Sequence, residues 1–531
     1  MTKRVLVADK IAAEGIAWLQ QRPGLAVEVK TGLDEAGLCA AVPGCAAVIV
    51  RSASRITAKV LDAADALAVV GRAGIGVDNI DVARATERGV VVLNTPNANA
   101  TTTAELTIAH LLSLSRNLPA ADRSVRDGKW ERNALTGVEV AGKTLGIVGF
   151  GTIGKLVAAR ARGLRMRLLV HDPFVTAEVV AEAGGESADL ERLLAEADYV
   201  SLHCPVTPQT KGLMTAGRFA AMKAGARFIN CARGSLVDEP ALADALASGH
   251  LAGAAVDVFA AEPPVGSPLL AAPNIVFTPH LGASTEEAQL ATGTEIVRQV
   301  AAFLETGEPI HAVNLPAVTA EQLVRLKPFG QLARALGRLL GALAGGPLER
   351  VTVTLAGAPD DVRPQPVATE ALIGLLSGRF AAPVNAVNAP HLAQGQGIGV
   401  TASRTDDAGD YRTLVAVAGS GPGGEVAVAG TLFDERRPRL VAIGAFEIEA
   451  VLEGVLLVTN HEDRPGVVAG VGAALAAAGR NIARMHIGPV GDGGRAMAVI
   501  GLDQPADQAT LAAIAAVPMV RDVTQVDLRG A

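Results

Sequence analysis

The stretch Thr144 to Asp172, TLGIVGFGTIGKLVAARARGLRMRLLVHD, constrains this chain more than any other. Leu145, Ile147 and Val148 form a short apolar run of the kind a buried parallel strand uses. Gly149, Gly151 and Gly154 follow it in the spacing GxGxxG. Gly149 is expected at a tight turn, Gly151 where a pyrophosphate approaches the backbone at a helix N-terminus, and Gly154 where that helix packs closely on the strand. Lys155 to Leu164 suits the helix, and Met166 to Val170 suits a second strand. Asp172 ends that strand 18 residues after the last glycine, where an acid meets the adenosine ribose hydroxyls. A glycine-rich chain produces a lone GxGxxG by chance; strand, helix, second strand and acid together make it a dinucleotide fingerprint. Pro173 and Phe174 follow, with no arginine, so the 2′-phosphate of NADP would face a bare carboxylate. Like-charge juxtaposition costs several kcal/mol, and NAD is the expected cofactor.

A chain of 531 residues exceeds what one hydrophobic core supports, so three or four domains are expected. Hydrophobic residues at 50% against 19% charged describe a globular protein. The net charge of −7 comes without a dense basic block, which argues against nucleic acid as a partner. An anionic small substrate then needs its own local arginines. Cys39, Cys45, Cys204 and Cys231 form no CxxC pair or zinc-spaced cluster, so neither a disulfide framework nor a metal site is expected. The N-terminal apolar run is broken at once by Asp9 and Lys10, and no stretch approaches a membrane span. A cytoplasmic protein with no membrane partner is the expectation.

Residues 1 to about 96 alternate strand-like and helix-like segments, as in an α/β unit with a parallel sheet. Ligands sit at the carboxyl ends of such strands, which makes Arg51 and Ser52 after AAVIV, and Gly74 after AVVGR, candidates to line a cleft. NATTTAELTIAHLLSLSRN, 99 to 117, is expected to be a helix capped by its threonines with Glu105 in the first turn. RSVRDGKWER, 123 to 132, is basic and carries Trp130; it suits either a solvated surface or a contact with a partner subunit or substrate phosphate. Between Gly142 and Gly282 a second α/β unit follows. Its later strands, DYVSLHCP, ARFINCA, GAAVDVF and NIVFTPH, each end near a polar or charged residue: Cys204, Arg233, Asp257 and His280.

From about 317 to 450 a helical segment leads into alternating strands, with GSGPGG as a hairpin turn and no catalytic constellation. Residues 454 to 531 read βαββαβ, a small ferredoxin-like sheet with helices on one face.

Arg233 in NCARG, Glu262 in AEPP and His280 in TPHLGAST suit one chemistry. Hydride transfer from a 2-hydroxy acid to nicotinamide requires a cation to hold the carboxylate and an acid/base for the hydroxyl proton. Arginine's planar fork suits the first, and histidine, with a pKa near working pH, suits the second. A carboxylate on the other ring nitrogen, here Glu262, would orient the imidazole.

GRAGIGVDNID, NTPNANATTTAEL, DGKWER, GKTLGIVGFGTIG, NCARGSLVDE, GAAVDVFAAEPP and TPHLGAST together resemble the D-isomer-specific 2-hydroxyacid dehydrogenases over residues 1 to about 315. The C-terminal unit resembles an ACT domain, and the region before it resembles the intervening domain of the long-form branch that oxidises phosphoglycerate. The resemblance implies two Rossmann-like parallel-sheet domains, the first discontinuous: a substrate-binding domain at 1–98 and 283–315 and an NAD-binding domain at 99–282. An α+β intervening domain at 316–450 and an ACT domain at 454–531 complete the division. It implies oxidation of 3-phospho-D-glycerate to 3-phosphohydroxypyruvate with NAD, the first step of serine biosynthesis. Cofactor contacts fall on Thr152, Ile153, Asp172, Cys204, Cys231, Asp257 and the His280, Gly282 and Ala283 turn. The substrate carboxylate falls to Arg233 and the amides near Gly74 and Ile75, and the rest of the substrate to Arg51, Ser52, Asn99 and Arg132, the last from a partner subunit. His461, Asp463 and Asn481 match positions that bind serine as feedback inhibitor, and a homodimer or homotetramer is implied. An anion site in the intervening domain is not carried over, because Glu447, Glu449 and Glu453 make that stretch acidic. A glycerate, glyoxylate or hydroxypyruvate reductase of the same family, and a dinucleotide-sensing corepressor, stay open as alternatives.

Overall fold

The structure, a computed structural model, describes residues 2–316, 319–380, 383–490 and 494–530. Four sheets follow one another along the chain. The first has five parallel strands in the order Leu25–Val29, Lys3–Val7, Cys45–Val50, Val69–Arg72 and Val91–Leu93. Its central strands carry unbroken apolar runs, Val5–Val7 and Cys45–Val50, because helices cover both faces. Val5, Ile49 and Val69 meet Ile296, Val297 and Val300 of the late helix Glu286–Thr306, while Leu6, Val48 and Val70 meet Leu38, Val60 and Leu61. Gly71 lies beneath that late helix, where a Cβ would stand 2.6 Å from Val300.

The second sheet has seven parallel strands in the order Ile275–Phe277, Gly253–Val256, Arg227–Asn230, Tyr199–Leu202, Thr144–Val148, Arg167–His171 and Glu186–Ser187. Thr144–Val148 has Arg167–His171 on one side and Tyr199–Leu202 on the other, so the strand order reverses there. A crevice for ligand opens at such a switch point, beyond the carboxyl ends of the strands.

The helix expected near 99 to 117 spans Ala100–Arg116, but the threonine cap expected from the sequence is absent. Asn99 occupies the cap without a side-chain bond, and no acid stands in the first turn. The Thr103 and Thr107 hydroxyls instead turn back onto the carbonyls of Asn99 and Thr103, and Thr103 also donates to the Gly282 carbonyl. A hydroxyl packed inside the protein finds its fixed acceptor one turn back or on the facing loop.

The third sheet runs Gly399–Thr405, Arg350–Ala356, Leu414–Gly421, Gly424–Phe433, Arg437–Ile443 and Phe446–Val451, with only its first pair parallel. The GSGPGG segment makes the tight connection between its third and fourth strands. Helices Ala320–Leu343 and Pro364–Leu376 close its core. The fourth sheet is antiparallel, in the order Ile482–Val490, Arg495–Leu502, Val455–Glu462 and Val520–Asp527. Side chains alternate across a strand: Val455 and Leu457 face helices Val467–Ala477 and Gln508–Ala515, while Leu456 and Val458 join the core of the third sheet. Among the described residues no helix is long and apolar enough to cross a membrane.

Candidate active site

The glycine motif builds a cradle with no room for side chains at Gly149 and Gly154. Gly149 takes φ +97°, and a Cβ there would stand 2.6 Å from the Cys204 amide nitrogen at the end of the neighbouring strand. A Cβ on Gly154 would meet the Gly149 carbonyl at 2.3 Å, whereas Gly151 faces open space. Gly151 caps the helix Thr152–Gly163, whose first amides and dipole favour an anion at that spot. Asp172 leans back over this turn, accepting the Phe150 amide at 2.7 Å on one oxygen and the Phe174 amide at 2.9 Å on the other. An ionised carboxylate has about four lone-pair positions, so two remain for ribose hydroxyls. The residues therefore fit a dinucleotide with a free ribose 2′-hydroxyl.

Burial pushes the Cys204 thiol up to about 11 and the Cys231 thiol up to about 12. Both stay protonated at neutral pH, and they line the crevice as small apolar surfaces rather than as nucleophiles. Thr152 opens the helix with an exposed side chain, and Ile153 packs against the core beneath.

The three residues assigned to chemistry stand on loops that lean on one another. His280 Nδ1 lies 2.7 Å from Glu262 Oε2, while the other Glu262 oxygen accepts the Phe259 amide at 3.1 Å. Glu239 ties down the same loop by accepting the Ala260 amide at 2.7 Å and the Ser267 hydroxyl at 2.6 Å. Arg233 sits on the adjoining loop, and its neighbour Gly234 admits nothing larger: a Cβ would lie 1.9 Å from the Phe259 carbonyl carbon.

His280 takes a left-handed φ of 55°, uncommon for a residue with a Cβ. Asp257, fully buried, explains how it is held. The Asp257 carbonyl accepts the His280 amide at 2.9 Å, and its carboxylate accepts the Thr278 hydroxyl at 2.5 Å, the Leu281 amide at 2.7 Å and the Gly282 amide at 2.9 Å. Ala283 follows, half-buried, on the same turn.

Arg233 Nε donates to Asp78 at 2.9 Å, which joins the second sheet to the GRAGIGVDNID turn of the first. Gly74 and Ile75 lie on that turn, their carbonyls accepting the Thr95 amide at 3.1 Å and the Asn94 side chain at 2.6 Å. Nothing in the sequence but its place at the end of AVVGR singles out Arg72, yet the fold sets its guanidinium there. Burial and the repulsion of Arg233, with a smaller push from Arg51, pull Arg72 down to about 10. Its Nε is buried without a partner among the described residues. The charges of Arg233 and Arg51 thus reach Arg72, a positive field that suits an acid bearing several negative charges. Asn99, 6% exposed, also has an amide oxygen without a partner among the described residues. Arg132 stands apart on the exposed segment after the helix Leu118–Arg126, beside Trp130 at 78% exposure.

The three effector positions do not come together within one chain. His461, buried, has Nδ1 3.3 Å from the Thr459 hydroxyl, and burial lowers its pKa. The Asp463 amide donates to the Gly494 carbonyl at 2.8 Å. Asn481, in contrast, precedes Ile482, which pairs with Leu502, whereas His461 pairs with Ala496. Six residues of a strand separate the two levels, about 20 Å at roughly 3.3 Å per residue. The Asn481 amide is engaged with Asp503 at 2.7 Å.

Three stretches of the chain match known families. Residues 108–282 match the family described as D-isomer specific 2-hydroxyacid dehydrogenase, NAD binding domain. Residues 325–444 match the D-3-phosphoglycerate dehydrogenase intervening domain, and residues 454–518 match the ACT domain. The D-3-phosphoglycerate dehydrogenase of Synechocystis sp. is 40% identical over 526 residues, covering 99% of this chain and 95% of that one. That of Bacillus subtilis is 37% identical over 525 residues, covering 99% of each. Among solved structures, a Thermus thermophilus protein 40% identical superposes with a TM-score of 0.54 over 58% of this chain and 99% of its own. A D-lactate dehydrogenase from Aquifex aeolicus, complexed with NAD and lactic acid, is 26% identical with a TM-score of 0.54, over 59% of this chain and 100% of its own.

Proposed function

This chain belongs to the D-3-phosphoglycerate dehydrogenases of the D-isomer-specific 2-hydroxyacid dehydrogenase family, and from that premise we propose that it oxidises 3-phospho-D-glycerate to 3-phosphohydroxypyruvate with NAD, the first step of L-serine biosynthesis. The observation that carries the reading is the His280–Glu262 pair, 2.7 Å apart, with the Glu262 loop packed against the one that bears Arg233.

In the forward direction Arg233 holds the substrate carboxylate through the outer nitrogens of its guanidinium, while Nε keeps its bond to Asp78. A ring nitrogen facing an ionised carboxylate carries the proton, so Glu262 leaves His280 Nε2 as the lone pair that takes the hydroxyl proton. As the imidazole becomes cationic, Glu262 stabilises it. Bound NAD would supply the acceptor for the hydride from C2 of the substrate. The Asp257 network keeps His280 at its station, and Asp172 with the glycine cradle orients the dinucleotide. Arg51, Ser52 and Asn99 receive the rest of the substrate, with Arg132 of a second copy completing the charge around its phosphate.

Serine is the proposed effector of the C-terminal sheet. The separation of His461 and Asp463 from Asn481 supports a site shared between two copies, so a homodimer or homotetramer is part of the same reading. The decisive experiment is NADH formation from 3-phospho-D-glycerate against unphosphorylated D-glycerate, with and without serine. No preference for the phosphate would sink the substrate assignment, and indifference to serine would sink the regulatory one alone.

A further inference from the structure

The turn from Arg51 to Ser54 leaves the carboxyl end of the strand Cys45–Val50 and is gripped from two sides. Asp9, just beyond the strand Lys3–Val7, is buried at 3% exposure. Its carboxylate accepts the Arg51 amide at 2.6 Å, the Ser54 amide at 3.1 Å and the Ser54 hydroxyl at 2.7 Å. From the opposite direction the Asn79 side-chain amide donates to the carbonyls of Arg51 at 2.9 Å and Ser54 at 2.7 Å. The Asn79 carbonyl accepts the Ile56 amide at 2.8 Å.

An ionised carboxylate accepts only, and the amide nitrogen of asparagine donates only. The two residues therefore divide the turn's backbone donors and acceptors between them. A buried carboxylate is costly unless its lone pairs are filled; here one turn fills them, so the conformation of that turn and the burial of Asp9 depend on each other. What the grip leaves free is the outer edge, with the side chains of Arg51 and Ser52. Asp78, next to Asn79, bonds to Arg233 at 2.9 Å. One dipeptide thus touches both the guanidinium assigned to the substrate carboxylate and the turn assigned to the far end of the same molecule.

We infer that Asp9 and Asn79 are positioning residues that hold the Arg51–Ser54 turn ready for the phosphorylated end of the hydroxy acid, and that the Asp78–Asn79 link sets its separation from Arg233. This rests on the substrate reading given above. Without the grip, the substrate itself has to order the turn on binding, and apparent affinity falls. Because neither Asp9 nor Asn79 touches the reacting carbon, the effect falls on KM for the phosphorylated substrate and spares kcat.

The test uses the full-length enzyme carrying Asn79→Ala, with Asn79→Asp as a second variant of nearly unchanged size. NADH formation is measured from 3-phospho-D-glycerate and from D-glycerate, and NADH binding is followed by fluorescence. Asn79→Ala is expected to raise KM for 3-phospho-D-glycerate about tenfold, with kcat within about twofold and NADH affinity unchanged. The ratio of kcat/KM for the phosphorylated over the plain substrate then falls about tenfold. Asn79→Asp replaces the donor by an acceptor facing two carbonyls and is expected to lower the ratio at least as far. A wild-type preference for phosphate that both variants retain, or a parallel loss of NADH affinity in both, overturns the inference alone. A wild-type enzyme with no preference for the phosphate overturns the substrate reading, and the inference with it.

Discussion

The second sheet and the fourth both carry polar side chains at the ends of their strands, but they assemble them differently. In the seven-stranded sheet every strand runs the same way, so loops after Asn230, Val256 and Phe277 all emerge at one edge. Arg233, Glu262 and His280 meet there within one chain, each tied to the next loop. In the four-stranded sheet neighbouring strands run oppositely, and Val455–Glu462 and Ile482–Val490 are separated by Arg495–Leu502. The end of one and the start of the other lie at opposite edges, which sends His461 and Asn481 apart. A parallel sheet concentrates chemistry inside one molecule, whereas this antiparallel one parts its polar positions, and only the serine site proposed above would call on a second copy to join them.

The largest effect expected concerns the concentrated site. His280→Ala should lower kcat by at least about a thousandfold, the scale of a lost general acid/base, with NADH affinity close to wild type in a fluorescence titration. A large loss of that affinity would show that His280 serves the cofactor rather than the proton. Next, Arg233→Ala should cost about a hundredfold in kcat/KM for 3-phospho-D-glycerate, since losing one partner of a desolvated charge pair costs several kcal/mol. An effect confined to Tm would make the Asp78 bond structural alone.

The divided site gives smaller numbers. Asn481→Ala should raise the serine concentration needed for half-inhibition about tenfold, or ~1.4 kcal/mol, with kcat in its absence within about twofold. If the half-sites belong to two copies, mixed assemblies of Asn481→Ala with His461→Ala subunits regain part of the serine response that each variant lacks. Failure of such mixtures to respond would place both halves in one chain and break the contrast.

Acid should also separate the two sheets. Burial lowers His203, beside the dinucleotide crevice, to about 4, and it lowers His461 as well. The unfolded chain therefore binds more protons than the folded one below the ordinary histidine value of 6.5. For His203, stability present at neutral pH is lost as pH falls from about 6.5 towards 4, by roughly 1–3 kcal/mol. His203→Gln should flatten that decline in thermal melts between neutral pH and about pH 4.5. His461→Gln should flatten it less.

Much of this was legible because it is local or periodic. The glycine spacing after TLGIV reports a backbone approach that only a missing Cβ permits, and the structure adds that a Cβ on Gly154 would meet the Gly149 carbonyl at 2.3 Å. The βαββαβ order of the last unit gave its sheet with helices on one face, and only the structure shows that the other face, with Leu456 and Val458, is buried in the core of the third sheet. The absence of the expected threonine cap was not legible, because the hydroxyl of Thr103 answers to Gly282, far along the chain. Asp78 and Asp9 escaped for the same reason, since their partners lie on other loops, as do the charges of Arg233 and Arg51 that act on Arg72; no spacing within a short window encodes them.

The sequence by itself determined the fold class, the dinucleotide and its missing phosphate, and the residue types needed for hydride and proton transfer. Each follows from a pattern read within a few turns of chain. Tertiary structure alone decided which side chains face each other. It brought Arg233 and Arg51 close enough to repel Arg72, gave Asp9 and Asn79 opposite sides of a single turn, and parted His461 from Asn481. Those outcomes depend on strand direction and order, and hydrogen bonds reach only about 3 Å, so residues distant in sequence become partners only where the sheets bring their loops together.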